Sequence, residues 1–151
     1  MENIELLFHK YKDDVYRLAV SYTKGRQDAE DVCQNVFLKL MTQTHIEPSK
    51  EKSWLMQVTA NECRSLLRSH WWKTTVPMED TLSVHGPETS SVMEALMRLD
   101  PKYRVVVYLH YYEGYHTADI ARLLKISQST VTTRLSRARR ALKAMLQEEE
   151  L

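Results

Sequence analysis

Glycine and proline are scarce: three and four, respectively, in 151 residues. So few turn-formers argue against a sheet-rich architecture, which needs a tight turn after every short strand. Only two cysteines occur, Cys33 and Cys63, inside apparent helices and without metal-ligand spacing. Reduced, buried thiols are expected rather than a disulfide framework. His9, His45, His70, His85, His110 and His116 form no metal spacing with one another or with the cysteines. There is no glycine-rich phosphate loop and no nucleophile motif. The expectation is therefore no catalytic residue, no metal, no cofactor and no small-molecule substrate. No apolar run approaches a membrane span, and the opening "MENIELLFHK" lacks a signal peptide's charged and apolar regions, so a cytoplasmic protein without membrane insertion is expected.

Helical periodicity fills most of the chain. The segment "KTTVPMEDTLSVHGPETSS" (73–91) is the one long stretch without it, and its Pro, Ser and Thr content reads as a linker. The fold expected is all-α: two small helical bundles joined by a flexible linker, with domains at 1–72 and 91–147 and the linker at 73–90. Helix one is expected over Ile4–Thr23, with Leu7, Phe8, Tyr11, Val15, Leu18 and Tyr22 inward and Gly25 as its stop. Helix two begins near Asp28 and sets Ala29, Val32, Cys33, Val36, Phe37, Leu40 and Met41 on an apolar face. Helix three spans Lys52–Trp72. The second bundle has a short helix near Ser91–Leu99, then one opened by Asp100-Pro101 and ended by Gly114. Thr117 and Ser127 are expected to cap the last two helices, and Tyr108, Tyr111 and Tyr112 to lie mainly in the core.

Charge is balanced overall, at +1, yet unevenly placed. Arg98 to Lys143 holds ten lysines and arginines against three acids, which suggests a local anionic partner. Much of that surplus lies in "ISQSTVTTRLSRARRALKAML". Val131, Leu135, Ala138 and Leu142 form one narrow stripe of a helix there. Ser129, Thr133, Ser136, Arg137 and Arg140 lie roughly opposite. Arg134, Arg137, Arg139, Arg140 and Lys143 come with no acid among them, whereas a merely solvated face mixes its signs through i, i+4 pairs. "HTADIARLLKISQSTVTTRLSRARRAL" has the layout of a helix-turn-helix. Ala121 is small where two helices approach, Ile126 plugs the turn and Val131 packs the second helix on the first. Such a helix enters the major groove with its N-terminal part at base edges. Amides near Ser127, Gln128 and Ser129 can hold a phosphate oxygen.

From Arg98 onward, "RLDPKYRVVVYLHYYEGYHTADIARLLKISQSTVTTRLSRARRAL" resembles domain four of the extracytoplasmic-function (ECF) group of sigma-70 initiation factors, which reads the minus-35 promoter element. By that resemblance Thr132, Thr133, Ser136 and Arg137 fall where family members meet bases and phosphates. One departure is Lys125 in the turn, where glycine or asparagine is common. A positive φ there would cost about 1 kcal/mol.

A helix-turn-helix also serves repressors and activators, so the first half decides. "DAEDVCQNVFLKLM" is similar to the ECF pattern in region two, and "WLMQVTANECRSLLRS" to the helix after it. Asp31, Gln34, Asn35 and Leu38 face away from the apolar stripe of helix two. The resemblance makes them a docking patch for core RNA polymerase. On helix three, Gln57, Asn61, Arg64, Arg68 and Trp71 form a ridge of amide, arginine and aromatic, a pattern that suits parted DNA strands. The resemblance assigns that ridge and its preceding loop to the minus-10 element, with Ser49, Lys50 and Lys52 as loop candidates. Two departures are Ser65, where the family usually has an acid, and "SHWWK" in place of a more basic run. The partners implied are core RNA polymerase, promoter DNA and an anti-sigma factor.

Overall fold

The computed structural model describes residues 4–23, 25–43, 45–73 and 91–149, with side chains at 69–73, 91 and 148–149 left out. The architecture is all-α, and no strand occurs among the described residues. Two units can be told apart, one within Met1–Thr81 and one within Leu82–Leu151. The expected linker, apart from Lys73, lies outside the described residues.

The first unit is built on α1 (Ile4–Tyr22), α2 (Arg26–Met41) and α3 (Glu51–Lys73). Tyr11, Val15, Leu18 and Ala19 bury one face of α1, and Ala29, Val32, Val36, Phe37 and Leu40 one face of α2. From α3 come Leu55, Met56, Ala60 and Cys63. Full burial of a side chain such as Leu18, Leu40 or Leu55 contributes about 1.5–3 kcal/mol. The hydroxyls that go in with them are bonded. Thr59 Oγ1 donates to the Leu55 carbonyl at 2.6 Å. Thr23 Oγ1 donates to the Ala19 carbonyl at 2.7 Å, so a side-chain hydroxyl closes the end of α1. Gly25 acts one step later than expected. It is the extended N-cap of α2 rather than the stop of α1, which already ends at Tyr22.

Two residues expected inward are exposed. Phe8 is 39% exposed: of the core only Phe37 meets its ring, edge-on at 4.9 Å between centroids, and its other ring neighbours, His9 and Lys12, are exposed residues of α1. Met41 is 60% exposed. It is the last residue of α2, where Leu40 already fills the core position.

The second unit contains α4 (Ser91–Arg98), α5 (Pro101–Val107), a π-helical turn (Tyr108–Tyr112), α6 (Thr117–Leu124) and α7 (Gln128–Glu149). Asp100 caps α5, accepting from the Lys102 amide at 3.4 Å, with Pro101 in the first turn. Val105, Val106, Leu109, Ile120, Leu124, Val131, Leu135 and Ala138 make the core. Arg104 is buried with them, its Nη1 donating to the Met97 carbonyl at 3.1 Å. Burial pushes its guanidinium down to about 10, Asp100 opposing the shift.

The π turn overturns the expectation for two tyrosines. The Glu113 amide reaches back five residues to the Tyr108 carbonyl at 3.1 Å, so the turn holds one residue more than an α-helix would. Tyr108 stays buried, but Tyr111 and Tyr112 are 58% and 63% exposed. Gly114 follows at φ 77°, a conformation that glycine adopts without steric cost. Thr117 is the first residue of α6 rather than its cap. The capping position belongs to His116, extended and with no side-chain bond to the helix, while Thr117 Oγ1 accepts from Gln128 Nε2.

Candidate nucleic-acid interface

The turn between α6 and α7 fixes the recognition surface. Lys125 sits at φ 57°, ψ 48°, left-handed, and the Ile126 amide folds back to the Ala121 carbonyl at 3.0 Å. Ser127 then caps α7, its Oγ accepting from the Thr130 amide at 3.1 Å. Val131, Leu135 and Ala138 are at most 2% exposed, which pins the rotation of α7 about its axis. Ser129, Thr132, Thr133, Ser136, Arg137 and Arg140 are thereby all exposed.

These exposed groups differ in what they have left to offer. Gln128 Nε2 donates to Thr117 Oγ1 at 2.8 Å, and Thr132 Oγ1 donates to the Gln128 carbonyl at 3.1 Å. Ser127 Oγ lies within 3.1 Å of Ser129 Oγ and 2.7 Å of Thr130 Oγ1. Thr133, Ser136, Arg137 and Arg140 make no hydrogen bond or ion pair among the described residues and present their full donor capacity. Arg139, counted with the basic face, is diverted. Its Nε donates to the Tyr111 hydroxyl and its guanidinium lies 5.6 Å from that ring's centroid.

A feature that sequence spacing did not reveal adjoins this face. Lys102 and Tyr103 on α5 line an open cleft of about 290 Å³ with Thr130, Thr133, Arg134 and Arg137 of α7. The one available signal was the sign of Lys102 within the basic block.

In the first unit, the ridge on α3 is a connected string. Gln57 Nε2 donates to Asn61 Oδ1 at 3.1 Å, and Arg64 Nη2 donates to the same oxygen. Arg64 Nη1 is buried without a partner among the described residues. Arg68 is exposed, as are Ser49 and Lys50 on the turn (Pro48–Lys50) that leads into α3 and Lys52 in the first turn of α3 itself rather than in the loop. Trp71 falls on α3, but its side chain lies outside the described residues, as does that of Trp72.

On α2, Asp31 accepts from Gln27 at 2.9 Å. Asn35 Nδ2 reaches Glu62 at 3.5 Å, beside the Lys39–Glu62 ion pair. Gln34 and Leu38 are left as an outward ridge, Leu38 being 60% exposed.

Neither cysteine is disulfide-bonded. Burial, then Glu30, pushes the Cys33 thiol up to about 11, and burial pushes Cys63 higher still. Such thiols are poor nucleophiles and poor metal ligands at neutral pH. No cluster of metal-ligating side chains occurs among the described residues. None of the described helices is long and apolar enough to cross a membrane.

Comparison with known proteins gives matches along most of the chain. Residues 7–73 match the family model for Sigma-70 region 2, and residues 89–142 that for Sigma-70, region 4. The ECF RNA polymerase sigma factor SigM of Bacillus subtilis (strain 168) is 30% identical over 155 residues, covering 94% of either chain. The ECF RNA polymerase sigma factor SigM of Mycobacterium tuberculosis is 32% identical over 147 residues, covering 93% of this chain and 75% of its own length. Among solved structures, the sigma factor RpoE in complex with the anti-sigma factor NepR, from Bartonella quintana, has a similar fold. Its TM-score is 0.73 over 97% of this chain and 98% of that one, at 19% identity.

Proposed function

Since the chain belongs to the sigma-70 family, in its ECF group, we propose that it binds core RNA polymerase and directs initiation at promoters carrying its own minus-10 and minus-35 elements. Residues 1–72 act as the region 2 domain, 73–90 as the linker and 91–147 as the region 4 domain. The observation that carries the reading is the face of α7: Thr133, Ser136, Arg137 and Arg140 exposed opposite an apolar stripe in which Val131, Leu135 and Ala138 are buried and Leu142 is half-buried. Arginine and hydroxyl donors on the N-terminal part of such a helix suit base edges and phosphates in the major groove. Ser127, Gln128, Ser129 and Thr132 complete the minus-35 set, Gln128 by fixing α7 against α6.

The α3 ridge of Gln57, Asn61, Arg64 and Arg68, with Trp71, Lys52 at the start of α3 and the turn residues Ser49 and Lys50, takes the parted strands of the minus-10 element. Gln34 and Leu38, flanked by Asp31 and Asn35, dock on the polymerase. Neither DNA contact need be tight alone, because a shared polymerase raises the effective concentration of the second once the first is made. The chain selects the start site and the polymerase performs the chemistry, so no enzymatic step belongs to this protein. It works in the cytoplasm, and the docking surface around Leu38 is held by an anti-sigma factor when initiation is not required.

The test is transcription in vitro with purified core polymerase. Promoter-specific initiation on adding this chain alone is expected. Repression, or no change in start-site use, would replace this reading with a regulator that is no polymerase subunit.

A further inference from the structure

We propose that the cleft between α5 and α7 is a second anion site, in which Lys102, Tyr103 and Arg134 hold a backbone phosphate of the minus-35 duplex beside the base-reading face. The inference rests on the sigma-factor reading and adds to it residues from an element outside the helix-turn-helix.

At about 100° per residue, Thr130 and Arg137 lie about 60–120° around α7 from Ser136 and Arg140, and Arg134 lies further round, about 120–160° from them and beside the buried stripe. If Ser136 and Arg140 face the floor of the major groove, the flank of Thr130, Arg137 and Arg134 faces one of its walls, and the walls are phosphodiester strands. The structure places a cationic cleft on that flank. Its lining combines Lys102, Arg134 and Arg137 with the hydroxyl-bearing residues Tyr103, Ser129, Thr130 and Thr133, a set whose cations and donors match the charge and the acceptor oxygens of a phosphate. α5 itself carries no acid, and the carboxylate of Asp100 just before it accepts from the Lys102 backbone amide as the helix cap. The Lys102 ammonium lies 5.2 Å from the Tyr103 ring centroid, which orients the cation without neutralising it. Lys102 and Arg134 make no ion pair among the described residues. The cleft is open to solvent and lined by polar groups, which fits a strand passing along it better than an enclosed small molecule.

The consequence differs from that of a base contact. A phosphate contact adds affinity on any sequence and releases a counterion, so its loss lowers the salt dependence of binding. The experiment uses the full chain assembled with core polymerase and titrates promoter binding against salt, with Lys102→Gln and Tyr103→Phe beside the wild type. Lys102 is exposed and Tyr103→Phe keeps the ring, so both variants fold. Lys102→Gln is expected to weaken promoter binding about fivefold to tenfold near 0.1 M salt and to lower the salt slope by about one. The loss should be equal on intact and scrambled minus-35 sequences, with affinity for core unchanged. A single neutral methylphosphonate at the contacted position should weaken the wild type and leave the Lys102→Gln complex no weaker. An unchanged slope alongside normal wild-type initiation overturns the cleft alone, as does a loss confined to core binding. Failure of the wild type to initiate overturns both this site and the reading beneath it.

Discussion

Gln128 Nε2 donates to Thr117 Oγ1 at 2.8 Å, tying the first residue of α7 to the first residue of α6. The two helices of the helix-turn-helix are thus joined at their N-terminal ends as well as through the turn. An exposed hydrogen bond of this kind contributes about 0.5–1.5 kcal/mol. A double-mutant cycle with Gln128→Ala and Thr117→Val should return a coupling within that range in chemical denaturation of the full chain. Additive losses would mean that the bond does not hold the angle between the helices.

Lys125 is the one non-glycine residue with positive φ among the described residues. A side chain there crowds the following carbonyl. Lys125→Gly should stabilise the second unit by about 1 kcal/mol, which for a domain of this size raises the thermal midpoint by about 4–8 °C. Differential scanning calorimetry reads the shift. A fall in the midpoint would show that the lysine stem supports the turn.

Arg137→Ala removes a free guanidinium from an exposed position, so the fold should be unaffected. Initiation at a promoter with an intact minus-35 element should fall, by about 1–3 kcal/mol in binding if the guanidinium reads a base. Repeating the assay with a scrambled element separates the roles. An equal loss on both templates would make Arg137 a phosphate contact only.

Leu38 and Gln34 stand one helical turn apart on the open side of α2. Leu38→Asp with Gln34→Ala should leave far-ultraviolet circular dichroism and the thermal midpoint nearly unchanged, since neither side chain is in the core. Affinity for core polymerase should drop at least tenfold. Unaltered affinity would remove these residues from the docking surface.

The Cys33 thiol, held up to about 11 by burial, should react with a soluble disulfide reagent at pH 8 about a hundred times more slowly than in the unfolded chain, because the thiolate alone attacks. The sign for stability follows from a raised pKa. The folded state keeps the proton longer, so this contribution is whole below about pH 9 and is lost as pH rises through about 11. Mass spectrometry of alkylated chain against pH tests both halves.

Much of α7 was legible because one strong period decides it: Val131, Leu135 and Ala138 must go inward, and everything opposite must come out. The Asp100-Pro101 opening and the Ser127 cap were equally local signals. Phe8 and Met41 were not, since a helical wheel records direction and not whether a neighbour exists there. Tyr111 and Tyr112 failed for another reason, because an extra residue in one turn breaks the 100° increment on which the wheel depends. The cleft joining Lys102 to Arg134 spans two elements distant in sequence, and no periodicity within either reports it. Arg139 illustrates the same limit: its charge was visible, but its tyrosine partner was not.

The five-residue reach from Glu113 to Tyr108 gives α5 and its continuation an adjustable length. A one-residue deletion at this point can be absorbed by tightening the turn to ordinary α-helical bonding, leaving α6 and α7 where they are. That repair would swing the tyrosines through roughly 100° and withdraw their rings from solvent. Surface aromatics and helix regularity are therefore traded against each other at this spot, and length variants of the chain would separate the two.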